Sequence, residues 1–239
     1  MKVKKQFVRS FGWTLLSAGV FLGFSGMTGW AQSTVESRVL QFSDAVAHRL
    51  AGDFKKAAVP YPPQALTFIG LKQEKRLEVY AADKGGKFRF IRSYPIIAAS
   101  GRLGPKLREG DEQVPEGLYQ IESLNPNSRF HLSLRVDYPN AADRERAKAE
   151  QRTNLGGDIM IHGNAVSIGC LAMGDSAAED LFVLAAVTGI RNINVILSPI
   201  DFRTRDLTEI PAGAPKWTGE LYDSIKAALR QYDVPRQGK

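Results

Sequence analysis

The spacing of apolar residues divides the chain into a strand-rich middle and helical flanks. Residues 34–50 are predicted to form an amphipathic helix, because five apolar residues recur at helical spacing on one face: Val35, Val39, Phe42, Val46 and Leu50. A second helix is predicted to start at a capping box over residues 176–179 and to end at Gly189. A third is predicted over residues 215–232.

Seven segments between these helices have strand-like patterns bounded by glycine, proline or charged turns. They are residues 66–71, 76–81, 87–97, 117–123, 131–136, 158–162 and 193–198. The sequence therefore predicts a mostly β fold with flanking α-helices. Residues 140–152 have helical propensity but almost no large apolar side chains, which fits either a solvated helix or a lid-like insertion. We favour the solvated helix.

The N-terminus has the pattern of an export signal. Four basic residues precede an apolar run over about residues 11–27, and small residues precede a cut after Ala31. The alternative is an uncleaved membrane anchor, because the run approaches spanning length. Cleavage is favoured, and both alternatives place the remaining chain outside the cytoplasm. The predicted organisation is a signal peptide (1–31), a helix and linker (32–63), a β-rich domain (64–200) and a C-terminal extension with a helix (201–239).

Charge and composition narrow the classes of partner. Without residues 1–31 the chain has 28 basic and 25 acidic residues, and this net charge of +3 does not indicate a nucleic-acid partner. An exported chain with one cysteine forms no internal disulfide. Three histidines and one cysteine do not favour a zinc site, so no metal and no cofactor are predicted. The membrane is an expected partner only through an uncleaved signal segment.

The candidate chemistry lies between His162 and Cys170. The only cysteine follows one of the three histidines by eight residues. A thiolate is the reactive form of cysteine, and an imidazole that accepts its proton promotes its formation. Gly163 and Gly169 permit tight turns, and closing so short a loop costs little entropy. Cys170 is therefore the predicted nucleophile and His162 its base, the alternative being a buried, inert cysteine.

Three other positions in this loop have predicted roles. No carboxylate lies within the loop, so the carbonyl of Gly163 is a candidate to hold the His162 ring in one tautomer. The amides of Gly169 and Cys170 are candidates to stabilise an oxyanion. The Ser167 hydroxyl can tie down the loop or orient the histidine. Ser167 is also a rival nucleophile, ranked second because a thiol is the better nucleophile at neutral pH.

Two blocks of the sequence resemble the L,D-transpeptidase (YkuD-type) catalytic domain. The string IHGNAVSIGCLAM, from Ile161, is similar to that family's active-site signature, in which an HG pair precedes a serine and then Gly-Cys. Upstream, SGRLGPK from Ser100, a GD pair at Gly110 and PEGLY from Pro115 resemble a second family pattern. The resemblance covers residues 64–200. It implies a β-sandwich-like catalytic fold, with Cys170 as nucleophile and His162 as general base.

The resemblance also implies a substrate, a partner and a location. The family acts on the stem peptide of peptidoglycan, where the thiolate attacks the carbonyl between the third residue and D-alanine. An amine of a neighbouring stem then resolves the thioester into a cross-link. The short gap before Cys170, and Ala172 where most of the family has arginine, resemble a Gram-negative branch that includes a murein peptidase. This branch implies the periplasm as location and a peptidoglycan-linked outer-membrane lipoprotein as a further partner.

The missing arginine leaves the binding of a stem carboxylate open. Arg102, Lys106 and Arg135 are candidate cations, although a residue of this kind is more often an ordinary surface charge. Tyr138 is a further candidate substrate-binding residue. Three functions follow from these residues: transfer to an amine, hydrolysis as an L,D-carboxypeptidase or endopeptidase, and non-catalytic wall binding. We rank transfer first, and wall binding last because the Cys–His loop is intact.

Overall fold

The computed structural model describes residues 32–235, which form one eight-stranded sheet flanked by four α-helices. The predicted signal at residues 1–31 lies outside the described residues. The strands are β1 (Leu66–Leu71), β2 (Arg76–Ala82), β3 (Phe88–Pro95), β4 (Gly117–Asn125), β5 (Ser133–Val136), β6 (Met160–His162), β7 (Leu171–Ala172) and β8 (Ile193–Ser198). The helices are α1 (Val35–Ala57), α2 (Ala141–Ala149), α3 (Asp175–Thr188) and α4 (Thr218–Leu229). The prediction of a mostly β fold with flanking helices is confirmed.

The sheet has the order β3-β2-β1-β8-β4-β5-β6-β7. Strand β4 changes partner along its length: its first half pairs with β8, and its second half pairs with β5 after an irregularity between Ile121 and Ser123. Such a bulge bends the strand and increases its twist. The bend lets the short strands β5, β6 and β7 continue the sheet, with the candidate catalytic loop at its far edge.

The centre of the sheet is buried on both faces. Successive residues of a strand point to opposite sides of the sheet, so one strand contributes side chains to two cores. Leu66 and Phe68 of β1 pack in the core that contains α1 and α3. Ile69 and Leu71 of the same strand pack in a second core with α4. The strand is therefore apolar at nearly every position, as expected for a strand covered on both sides.

Helix α1 is longer than its predicted 34–50. It begins after Thr34, whose side chain accepts a hydrogen bond from the Ser37 amide, while the Ser37 hydroxyl accepts one from the Thr34 amide. The helix runs to Ala57 because Phe54 continues the buried stripe one turn beyond Leu50. Within residues 32–235, no helix has both the length and the apolar content needed to cross a membrane.

The predicted capping box at residues 176–179 is wrong. Helix α3 begins one residue earlier, at Asp175, and its N-cap is Gly174, which supplies no side-chain hydrogen bond. Glu179, the acid of the predicted box, instead bonds to Arg49 of α1 and to His131. The Glu179 carboxylate therefore bonds to side chains that are distant in sequence and not to the backbone at the start of its own helix.

The C-terminal extension packs on the second face of the sheet. Leu221, Ile225 and Leu229 of α4 are at most 3% exposed in the core formed with β1. The Tyr222 hydroxyl donates a 2.8 Å hydrogen bond to Glu116, the buried acid of the PEG motif. Glu116 also pairs with Lys72 at 2.9 Å. The helix is thus bonded to the segment that leads into β4.

Candidate active site

Strands β6 and β7 lie next to the two candidate catalytic residues, because His162 ends β6 and Cys170 directly precedes β7. They pair in parallel, with His162 opposite Ala172 and Ile161 opposite Leu171. Cys170 directly precedes β7, so the register places the backbone of the nucleophile loop beside β6. The strands are so short that an eight-residue loop suffices to connect them in parallel.

The His162 ring is held in one orientation. Its Nδ1 lies 2.6 Å from the carbonyl oxygen of Gly163, to which an Nδ1–H donates. The side chain is buried, and the ring of Phe130 covers it at a centroid distance of 4.7 Å. With Nδ1 protonated, the neutral ring has Nε2 as its acceptor nitrogen.

Cys170 is half-buried, and its Sγ donates a hydrogen bond to the Asp158 carbonyl oxygen at 3.5 Å. Burial raises the pKa of the Cys170 thiol, and the Asp158 carboxylate adds to this increase. A backbone hydrogen bond from Met160 and the Lys106 ammonium lower the same pKa by less. The thiol is therefore protonated at neutral pH.

Burial lowers the pKa of His162, against the smaller, opposite effect of the hydrogen bond to Gly163. The ring is therefore neutral at pH 7. These two pKa directions describe a neutral imidazole and a protonated thiol at rest, in contrast to a resting thiolate–imidazolium pair.

Two serine hydroxyls hold the loop that carries Cys170. The Ser167 hydroxyl donates to the Cys170 carbonyl at 2.6 Å and accepts from the Cys170 amide at 3.1 Å. The Gly169 amide donates to the Ser100 hydroxyl at 2.6 Å. Both amides predicted to stabilise an oxyanion are thus already bonded to hydroxyls. An oxyanion would have to displace these hydroxyls to reach the amides.

The turn after His162 requires glycine. A Cβ on Gly163 would lie 2.6 Å from an oxygen of Asp175 and 2.8 Å from the Phe130 carbonyl oxygen. The same Asp175 carboxylate accepts from the Asn164 amide at 2.8 Å, and Asn164 has a left-handed φ of 62°. Asp175 at the start of α3 therefore fixes the path of the chain where it leaves β6.

Two of the predicted substrate-binding residues are structural. Lys106 is buried, and its ammonium group donates to Asp111 at 2.6 Å and to the Arg108 carbonyl at 2.9 Å. Tyr138 is 3% exposed, and its hydroxyl donates to the carbonyl oxygens of Lys106 and Leu155. Both side chains are therefore bonded within the protein, and their role in substrate binding stays a prediction.

The two predicted arginines are accessible. Arg135 forms ion pairs at 2.7 Å with Glu122 and with Asp158, the residue whose carbonyl receives the Cys170 thiol. Arg102 is exposed, while its backbone is bonded to the Gln113 side chain on both its amide and its carbonyl. In the described residues no group of three or more His, Cys, Asp and Glu side chains is arranged to hold a metal ion.

Three residues of the site were not predicted from the sequence. Ser100 lies in a motif that was recognised only as part of the resemblance, Asp175 was passed over in favour of the capping box, and Phe130 lies in an irregular turn. His131 beside it has φ 71°, so β5 begins two residues later than predicted. Only Asp175 carried a local signal, as an acidic residue in the first turn of a helix.

Comparison with known proteins gives the family. The sequence model of the YkuD L,D-transpeptidase catalytic domain matches residues 68–195. Over 190 residues the chain is 31% identical to a protein named "Putative L,D-transpeptidase YafK" from Escherichia coli K12, covering 77% of this chain and 67% of that protein. The protein of the same name from strain O157:H7 matches equally.

Solved structures with related folds were also found. The helical cell shape determining protein Pgp2 of Campylobacter jejuni matches with a TM-score of 0.47 and 18% identity, over 79% of this chain and 78% of that one. In a point-mutant structure of Pgp2, the chain spans 55% of the solved length. Bd1075 of Bdellovibrio bacteriovorus matches with a TM-score of 0.42 and 17% identity, over 73% and 58% of the two chains. On the family match and the YafK alignment, this chain belongs to the L,D-transpeptidase (YkuD) catalytic-domain family.

Proposed function

We propose that the protein is a periplasmic peptidoglycan L,D-transpeptidase that forms a thioester between Cys170 and a tetrapeptide stem and transfers the acyl group to an amine. The register of β6 and β7 supports this proposal, because Cys170 directly precedes the strand that pairs with the one ending at His162. The hydrogen bond from Nδ1 to Gly163 leaves Nε2 to accept the thiol proton. Family membership supplies the substrate class.

The proposed acylation follows from these two groups. The proton of the Cys170 thiol moves to His162 Nε2 as Sγ bonds to the carbonyl carbon before D-alanine. The carbonyl oxygen becomes an oxyanion, and its collapse breaks the C–N bond. His162 then returns the proton to the D-alanine nitrogen, which leaves as an amine. An acceptor amine attacks the thioester in the second step, His162 takes its proton, and the thiol is regenerated.

The oxyanion is proposed to bind the Cys170 and Gly169 amides after Ser167 and Ser100 rotate away. Both hydroxyls occupy these amides at hydrogen-bond distance. Rotation of a serine side chain about its Cα–Cβ bond moves the hydroxyl oxygen to another rotamer, so the amide can be released without moving the backbone. The serines then preserve the loop geometry before substrate arrives.

The product of the reaction distinguishes transfer from hydrolysis. We expect purified protein incubated with disaccharide tetrapeptide to give cross-linked dimers, because an amine acceptor is present on every stem. Mass spectrometry of the products checks this. Tripeptides alone would instead assign the protein as an L,D-carboxypeptidase, and release of peptide from lipoprotein-linked muropeptides would assign it as an endopeptidase. Unchanged substrates in all these assays would support wall binding without catalysis.

The pH dependence tests the neutral resting pair. Because the pKa of His162 is lowered from about 6.5, the base form persists below that pH, and kcat/KM is expected to stay level from pH 7.5 to 6.5 before it falls. Because the pKa of Cys170 is raised, alkylation by iodoacetamide is expected to be slow at pH 7 and to increase about tenfold per pH unit.

The chain has one cysteine, so the alkylation rate reports this thiol alone. Free glutathione measured alongside gives the reference rate for an unperturbed thiol. A fast alkylation plateau that extends below pH 7 would reveal a resting thiolate and contradict the proposed order of proton transfer.

A further inference from the structure

A groove of about 980 Å³ lies beside the nucleophile loop and is not part of the Cys–His pair. Its walls come from three segments: residues within 101–113, residues 151–154 after α2, and residues 211–215 of the C-terminal extension. This volume is at the upper end of the range for small-molecule sites, about 300–1,000 Å³. The groove thus has room for an extended peptide of several residues.

The groove shares a wall with the catalytic loop. Gln113 lines the groove, and its carbonyl oxygen lies 3.5 Å from the position of a Cβ on Gly169. The Ser100 hydroxyl, which accepts from the Gly169 amide, donates at 2.8 Å to the carbonyl of Glu112, another lining residue. A peptide bound in the groove therefore lies next to the residues that hold the Cys170 loop.

The cations of the groove are available to a ligand. Arg102 and Arg108 are exposed, and within the described part of the chain their guanidinium groups form no ion pair or side-chain hydrogen bond. The Asp111 carboxylate in the same wall accepts hydrogen bonds from the Lys106 ammonium and from three backbone amides. Glu112 is the one other acid among the lining residues. Two free arginines against one free acid favour an anionic ligand.

The walls are held in place before any ligand binds. The Gln113 side chain bonds to the amide and the carbonyl of Arg102. Across the groove, Arg152 donates to the Leu107 carbonyl at 2.8 Å, which joins the second segment to the first. Trp217, two residues after the third segment, donates to Glu150 at 2.9 Å at the end of α2. A preformed site loses less conformational entropy when a ligand binds.

We propose that this groove binds the carboxylate-bearing part of the donor stem peptide, with Arg102 and Arg108 as its cations and residues 211–215 as its outer wall. The inference rests on the proposed function, which supplies the stem as substrate. The residue two positions after the nucleophile is Ala172, which has no charge and is fully buried in β7. The two groove arginines give the stem carboxylates the cationic partner that Ala172 does not provide. Guanidinium groups suit this role because they bind carboxylates with paired, charge-assisted hydrogen bonds.

The test uses the full chain and measures acyl-enzyme formation with tetrapeptide at varied concentration. The double variant Arg102→Gln/Arg108→Gln is expected to increase KM about tenfold or more with little change in kcat, because it removes binding shared by ground and transition states. Amidation of the stem side-chain carboxylates should have the same effect on the wild type and little additional effect on the double variant. Ala212→Trp, which adds bulk to the third wall, should also increase KM.

Matched controls separate the groove from general charge and folding effects. Arg191→Gln/Arg230→Gln removes two exposed arginines elsewhere, and Ala227→Trp adds an indole to the exposed side of α4. These variants are expected to keep the wild-type KM. An unchanged KM in the Arg102/Arg108 variant, or an equal increase in the control pair, would overturn the inference while leaving the proposed function intact.

Failure of the proposed function has a different signature. In that case the wild type forms no adduct on Cys170 with tetrapeptide. Calorimetric titration of tetrapeptide into the Cys170→Ala protein then tests the groove without any reaction. Binding that weakens about tenfold on adding the Arg102 and Arg108 changes supports the groove, and binding that is absent or unaffected overturns it.

Discussion

Replacing Cys170 with alanine is expected to abolish acyl-enzyme formation and to lower turnover of a tetrapeptide stem by about 10⁴-fold or more. The thiol is the only one in the chain, and its residue directly precedes β7, which pairs with the strand that ends at His162. Intact-mass spectrometry checks the result: a carbapenem or a tetrapeptide should add its acyl mass to the wild type and not to Cys170→Ala. The variant should remain folded, because the Cys170 side chain is only half-buried and its hydrogen bond to the Asp158 carbonyl is weak.

Ser167→Ala is the matched control, since it removes the rival nucleophile from the same loop. This variant is expected to keep the adduct and to form it more slowly, because the Ser167 hydroxyl bonds both the amide and the carbonyl of Cys170. If the adduct survived in Cys170→Ala and disappeared in Ser167→Ala, the nucleophile would be the serine. His162→Gln should reduce the rate by about 10²–10⁴-fold, the usual contribution of a general base.

Leu229→Ala is expected to reduce the free energy of unfolding by about 2–5 kcal/mol. The Leu229 side chain is fully buried between α4 and the sheet, where it packs in the core that contains Ile69 and Leu71. Its truncation leaves a cavity that a rigid sheet cannot close. Urea denaturation followed by circular dichroism measures the change, provided that the slope of the transition is unaffected.

Leu40→Ala provides the comparison, because it makes the same chemical change in a helix at a side chain that is 80% exposed. Its effect should stay within about 0.5 kcal/mol. Removal of residues 201–239 should prevent folding altogether, since it uncovers Ile69, Leu71 and Tyr80 at once. Equal stability of the Leu229 and Leu40 variants would mean that α4 is not bound to the sheet in solution.

The strands were predicted well where local pattern and burial agree. Two strands, β1 and β8, have the predicted bounds, because turn residues limit apolar runs of strand length on both sides. The two-residue strand β7 was missed, because two residues cannot show a period. It exists only through its pairing with β6 and the bridge from Ala98 to Ala172.

The same distinction between local pattern and distant contacts applies to the candidate site. A Cys170–His162 pair could be proposed from the sequence because a short loop limits their separation and both have distinctive chemistry. Burial of Lys106 and Tyr138 could not, because each is enclosed by partners distant in sequence: Tyr138 bonds to the Lys106 carbonyl across 32 positions. The contact between Ser100 and Gly169 spans 69 positions and had no counterpart in any local pattern.

The amino-acid sequence by itself determined the strand-rich domain, the flanking helices and the short loop with its thiol, imidazole and glycines, because these depend on spacing within a few residues. Tertiary structure alone decided which arginines stay free, which serines occupy the loop amides, and that the C-terminal extension covers the second face of the sheet and closes the groove. Those features depend on contacts between segments as far apart as Thr67 and Tyr232, whose hydroxyls lie 2.8 Å apart. Local periodicity carries no information about such contacts.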